Sequence, residues 1–276
     1  MSDPFIIMCA PNGARRQKTD HANIPLTSAE LADCAEEVLL AGASILHLHV
    51  RTDEGRHSLS VDRYRDAIQA IRARVGDKLV LQTTSEAVGQ YSRAQQVAMV
   101  KELRPEAVSL ALREICPDDA AEPDTKAFFA WMRDHRIFPQ IILYNEADTR
   151  RFERMRQAGL FGIERPFVLC VLGKYGDEAG NMSGDLNVFT NILSPAQVPW
   201  AVCGFGKNEH RLAEEAAKRG GHVRVGFENN LQRVDGGFAE DNAELVKCAN
   251  QSAQRVQGTE RPIATAEDVR QQFMWG

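Results

Sequence analysis

The run Gly42-Ala-Ser-Ile-Leu-His47-Leu-His49-Val-Arg51 decides how the chain is read. Its small and β-branched residues mark a buried strand, yet two imidazoles stand in it two positions apart. Side chains at i and i+2 of a strand share a face, so His47 and His49 converge while Leu46, Leu48 and Val50 face the other way. Taken alone, such a pair reads first as two core histidines satisfied by their neighbours. Its other reading is half of a metal site.

Working outward, the same alternation of an apolar strand and an amphipathic helix recurs along the chain. Strand starts fall near Phe5, Ser44, Leu79, Ala107, Phe138, Pro166, Trp200 and His222. Helical spacing follows over 29–41, 61–74, 92–103, 124–136, 147–158, 186–193, 209–219 and 241–254, and a C-terminal helix is expected over 266–274. Strands apolar on both faces are those of a parallel sheet covered by helices. Such units in this number predict an α/β fold of the (β/α)8 TIM-barrel type with a short C-terminal helical extension. A doubly wound sheet is the rival. It would advertise a nucleotide loop, but the glycine-rich stretch 173–185 holds neither a GxGxxG nor a GK[ST].

The chain has 276 residues, enough for one TIM-barrel domain over 1–276, and no Gly/Ser or Pro linker divides it. Charges are interspersed with a formal net of -5, which argues against a nucleic-acid partner. No apolar run reaches the roughly 18 residues of a membrane helix, and Met1-Ser-Asp-Pro4 lacks the pattern of a signal peptide. A cytoplasmic protein without membrane partners is expected. Cys9, Cys34, Cys116, Cys170, Cys203 and Cys248 form no CxxC, and none is assigned to a disulfide. Apolar helix faces left exposed suggest a homo-oligomer.

Barrel active sites form at the C-terminal ends of the strands. His47 and His49 occupy the end of the second strand. The eighth strand ends in Arg224-Val-Gly-Phe-Glu228-Asn229, where Gly226 lets the backbone turn and carries Glu228 over the mouth. Both strands flank the first, so the three side chains can converge. Two imidazoles and a carboxylate are an open catalytic zinc set, with a coordination position left for substrate. Arg15, Arg51, Arg113 and Arg224 stand around the mouth and suit a substrate carboxylate. Hydrolysis, metal-dependent aldol cleavage and β-keto acid cleavage all remain open at this point.

Several segments resemble the β-keto acid cleavage enzymes, the family of the 3-keto-5-aminohexanoate cleavage enzyme. They are Cys9-Ala-Pro-Asn-Gly-Ala-Arg15, Pro25-Leu-Thr27, Ala41 through Arg51, Gln82-Thr-Thr84, and Gly221-His-Val-Arg-Val-Gly-Phe-Glu228. The resemblance runs essentially end to end. It implies a divalent metal, usually zinc, on His47, His49 and Glu228, and a reaction in which a β-keto acid and acetyl-CoA give acetoacetate and a new acyl-CoA. It also implies that Arg224 orients and polarises the reacting group and that Thr83 and Ser109 contact substrate.

Three departures qualify it. Asn229 is expected in the catalytic set with Arg224 and Glu114, but it stands where the family commonly has an acid, and an amide cannot serve as a general base. Glu114, beside Arg113, is the expected replacement, its bland alternative being an ion-paired rim residue. Ile142 lies on a fifth strand that lacks the family's acidic residues. Finally, Arg15 replaces the glutamate of the member that cleaves an aminated keto acid, so a substrate with an acidic or neutral polar tail is expected. The competing functions are another metal-dependent lyase or hydrolase that works without CoA, and a metal-dependent binding barrel without turnover.

Overall fold

The computed structural model describes residues 3–175, 184–256 and 261–273. Most of the glycine-rich stretch 173–185 and the expected end of the last helix at Met274 lie outside them. Eight parallel strands close into a barrel: β1 (Ile7–Cys9), β2 (Ile45–Leu48), β3 (Val80–Thr84), β4 (Ala107–Ala111), β5 (Phe138–Leu143), β6 (Phe167–Leu172), β7 (Trp200–Gly204) and β8 (His222–Val225). Neighbours follow chain order around the ring, and β8 closes on β1 through the partners Met8 and Arg224. The (β/α)8 barrel read from the sequence is the observed fold.

The helices on the outside are α1 (Ser28–Ala41), α2 (Val61–Val75), α3 (Arg93–Leu103), α4 (Glu122–Asp134), α5 (Glu146–Gln157), α6 (Asn187–Leu193), α7 (Asn208–Lys218), α8 (Asn242–Arg255) and α9 (Ala266–Phe273). Local chemistry sets several starts. Thr27 and Glu30 form a reciprocal capping box at α1, and Ser92 with Gln95 does the same at α3. Two short elements were not foreseen. Val50–Arg51 pairs antiparallel with His57–Ser58, and Arg113 and Glu114 lie in a helical turn, Leu112–Ile115.

Strand alternation separates two cores. Leu46, Leu48, Leu81, Val108, Leu110, Val223 and Val225 face the helices, while Ile45, Val80, Ala107, Phe138, Phe167 and Ala201 fill the barrel. At the N-terminal end, α9 acts as a plug: Phe273 stacks 4.6 Å from Phe167 and 5.5 Å from Phe138 between ring centroids. The opposite end mixes polar residues with Ile142, Val171 and Phe205. No helix among the described residues is long and apolar enough to cross a membrane.

Candidate metal centre

The second strand aims both imidazoles inward, as its period requires. His47 Nε2 and His49 Nε2 lie 3.0 Å apart, and Glu228 Oε2 lies 3.6 Å from the first and 3.5 Å from the second. All three residues are buried. Glu228 reaches them because Gly226 turns the chain at φ +130, in contact so tight that a Cβ there would meet Ala10 O at 2.5 Å. Gly13 packs on the far side of Glu228, where a Cβ would lie 2.5 Å from its Cγ.

The hydrogen bonds around the trio fit a cation. Gln82 Oε1 accepts from His47 Nδ1 at 2.8 Å, which leaves Nε2 of that ring as a lone pair directed at the other ligands. Gln82 is itself set by Gln140, its Nε2 donating to Gln140 Oε1 at 3.1 Å. Glu228 Oε1 accepts from Arg224 Nη2 at 3.2 Å, whereas its buried Oε2 has no hydrogen-bond donor among the described residues. A buried carboxylate oxygen without a donor, facing two imidazole nitrogens, is a donor set that a divalent metal would satisfy.

Electrostatics agree. Burial pushes the His47 imidazole well below its ordinary pKa and the Arg224 charge adds to this, so the ring stays neutral. Burial alone would raise the Glu228 carboxyl, but the Arg224 guanidinium holds it well below the usual carboxylate range. A neutral His47 imidazole and an ionised Glu228 carboxylate are ligand forms that zinc takes.

A cavity of ≈ 340 Å³ opens above the trio. Of the residues proposed from sequence, His47, Glu228, Arg224, Arg15, Ser109, Arg113 and Glu114 line it. Arg15 lies over the Tyr175 ring at 5.5 Å, and Arg113 stacks on Tyr144 at 3.5 Å. Arg224 is buried, bonded to Glu228 and to Cys203 Sγ at 3.5 Å, and its Nε has no partner among the described residues. A groove of ≈ 510 Å³ outside the barrel, lined by Lys18, Arg63 and Asp66 among others, contains none of the trio.

Three expectations are corrected. Arg51 does not reach the cavity: its buried guanidinium donates to the carbonyls of Asn12, Gly13, Arg16 and Gly55, which clamps the loop after β1. Thr83 faces the helices and donates to Ala107 O at 3.4 Å, while Thr84, one residue on, lines the cavity. Asn229 is buried and is not part of the cavity wall, because the turn that directs Glu228 inward turns its neighbour away. Neither atom of its side-chain amide has a partner.

Sequence reasoning also missed wall residues, chiefly Glu86 and Tyr175. Burial raises both groups above their ordinary values. A carboxylate two residues beyond a barrel strand was signal enough for Glu86, since that is where barrel chemistry gathers. Glu209 was missed as well. Fully buried, it accepts from Gly226 N and Asn230 Nδ2 at 3.0 Å each, and burial lifts its pKa to about 8. It holds the turn that presents Glu228.

Fold and site together define a (β/α)8 protein with a buried two-histidine, one-glutamate centre at the strand C-termini. Residues 4–274 match the model of the beta-keto acid cleavage enzyme family, and the chain belongs to that family. It is 32% identical to the 3-keto-5-aminohexanoate cleavage enzyme of Fusobacterium nucleatum subsp. nucleatum over 98% of both chains. It is 25% identical to the 3-oxoadipate:acetyl-CoA acetyltransferase of Cupriavidus necator, over 98% of this chain and 94% of the relative. Among solved structures, ObcA in complex with a C4-CoA adduct and oxalate shares the fold, with TM-score 0.67 and 16% identity over 91% of this chain and 67% of that one.

Proposed function

We propose that the protein is a zinc-dependent enzyme that converts a β-keto acid and acetyl-CoA into acetoacetate and a new acyl-CoA. The observation that carries this reading is the buried trio of His47, His49 and Glu228, of which His47 and Glu228 line one cavity with Arg224, in a chain of this family. Two imidazoles and one carboxylate would hold the metal, which supplies Lewis-acid polarisation of the substrate's oxygens.

The remaining work falls to the chain itself. Arg224 offers a buried, unpartnered Nε–H beside the centre, suited to fixing a carboxylate or carbonyl oxygen. Its second task is to keep Glu228 ionised through the bond to Oε1. Thr84 and Ser109 place hydroxyls on the wall between β3 and β4. Ile142, Val171 and Phe205 supply apolar surface that excludes water.

Arg15, Arg113 and Lys174 form an exposed cationic rim, which favours a substrate tail carrying a carboxylate or a neutral polar group. The relative named for 3-oxoadipate, a keto diacid, supports that assignment. The test is a panel of β-keto acids incubated with zinc-loaded protein, with and without acetyl-CoA, and acyl-CoA read by mass. Turnover that needs no thioester would replace this reading with a CoA-independent lyase or hydrolase.

A further inference from the structure

Exchanging the acyl group of a β-keto acid starts by removing a proton from the carbon between its keto and carboxylate groups, so some residue at this cavity must take that proton. Three carboxylates line the wall among the described residues: Glu86, Glu114 and Glu228. Glu228 is committed to Arg224 and to the two imidazoles. Glu114 is tied to the wall, its Oε2 accepting from Ala87 N and Gln96 Nε2 at 3.2 Å each. The carboxylate of Glu86 has no hydrogen-bond donor among the described residues, although its backbone is fixed from both sides. Its N–H donates to Thr84 Oγ1 at 3.0 Å, and its carbonyl accepts from His57 Nε2 at 2.8 Å.

The loop that carries Glu86 is also held in a costly shape. Val88, a β-branched residue, takes φ 49 and lines the cavity two positions on. L-residues of this type rarely adopt that region, and such strain persists only where surrounding contacts enforce it. Glu86 lines the same cavity as His47, Glu228, Arg224 and Arg15, which places it beside the centre. The tyrosine hydroxyls on the wall are poor bases, since burial pushes both Tyr144 and Tyr175 upward.

We propose that Glu86 is the catalytic base of this chain. The assignment rests on the β-keto acid reading given above. The Glu86 carboxylate takes one C2 proton, and the C–H electron pair becomes the enolate. The enolate carbon forms a bond to the thioester carbonyl of acetyl-CoA, and CoA leaves as thiolate. The thiolate then attacks the original keto carbon, breaking its bond to C2. The departing acetoacetate carbanion recovers the proton from Glu86, so atoms and charge balance with no further reactant.

Deuterium incorporation at C2 of acetoacetate tests this without knowledge of the natural tail. Zinc-loaded protein is followed by NMR in D2O in the absence of acetyl-CoA, above the spontaneous rate, alongside metal content and circular dichroism. Wild type is expected to catalyse exchange. Glu86→Gln should keep its metal and fold and lose about 10²- to 10⁴-fold in exchange rate, the usual worth of a positioned base. Glu86→Asp should retain part of the rate, which separates loss of the base from loss of the loop. Exchange by Glu86→Gln within threefold of wild type would overturn the assignment, as would loss of exchange in Glu114→Gln with Glu86→Gln unimpaired. No exchange by wild type would overturn it too. Catalysed exchange with no acyl-CoA from any β-keto acid would instead defeat the reaction proposed for the site and leave Glu86 as its base.

Discussion

Gln82 Oε1 lies 2.8 Å from His47 Nδ1 and thereby fixes which ring nitrogen faces Glu228. The amide cannot rotate freely, because its Nε2 donates to Gln140, whose own Nε2 lies 3.5 Å from Met8 Sδ. Gln82→Leu should weaken zinc binding by roughly 10- to 100-fold, the usual cost of losing a partner that orients a metal-bound histidine. His47→Ala should abolish it. Chelator competition reads both, and an unchanged zinc affinity in Gln82→Leu would refute the orienting role.

Arg51 illustrates how a charge that sequence assigns to substrate can be spent on backbone. Its removal takes a charged donor from the carbonyls of Asn12, Gly13, Arg16 and Gly55 around a buried loop. Arg51→Ala should cost about 2–4 kcal/mol of stability, since hydrogen bonds to a charged group are among the stronger ones. Urea unfolding measures it. A loss below about 0.5 kcal/mol, the range of an ordinary surface substitution, would contradict the clamp.

Glu209 makes stability depend on pH in a predictable direction. Burial lifts its folded pKa to about 8, above the ordinary carboxyl value of 4.5, so between these the folded state holds a proton that the unfolded state has released. The contribution is therefore complete below about pH 4.5 and is lost as pH rises toward 8. Relative to Glu209→Gln, wild type should lose melting temperature across that window. Parallel melting curves for the two proteins from pH 5 to 8 would remove Glu209 from the account.

Arg15 carries the specificity assignment. It is exposed on the rim over Tyr175, where it can meet a substrate tail without touching the trio. Arg15→Glu should lower kcat/KM for keto diacids by at least about tenfold and favour amino-keto acids, because an opposed charge pair becomes a like pair. A wild-type preference for amino-keto acids would reverse the assignment.

What the sequence disclosed follows from periodicity. The inward aim of His47 and His49 was legible because strand side chains alternate strictly, and Glu228 because Gly226 announces a turn at a strand end. Thr83 was misplaced by the same rule: one residue of register moves a side chain to the other face, and Thr84 took its place. Arg51 misled because charge says nothing of whether carbonyls or solvent will surround it. Glu86 was overlooked although it stands two residues beyond a barrel strand, since its aim depends on a loop bent through Val88, a conformation that no alternation pattern encodes.

The most direct test of the central claim follows carbon from acetyl-CoA labelled with ¹³C in the acetyl group, using zinc-loaded protein and a keto diacid. The account predicts that the label enters C3 and C4 of acetoacetate while an unlabelled acyl-CoA appears in equal amount. Label recovered as free acetate, or retained in acetyl-CoA while the keto acid is cleaved, would contradict it.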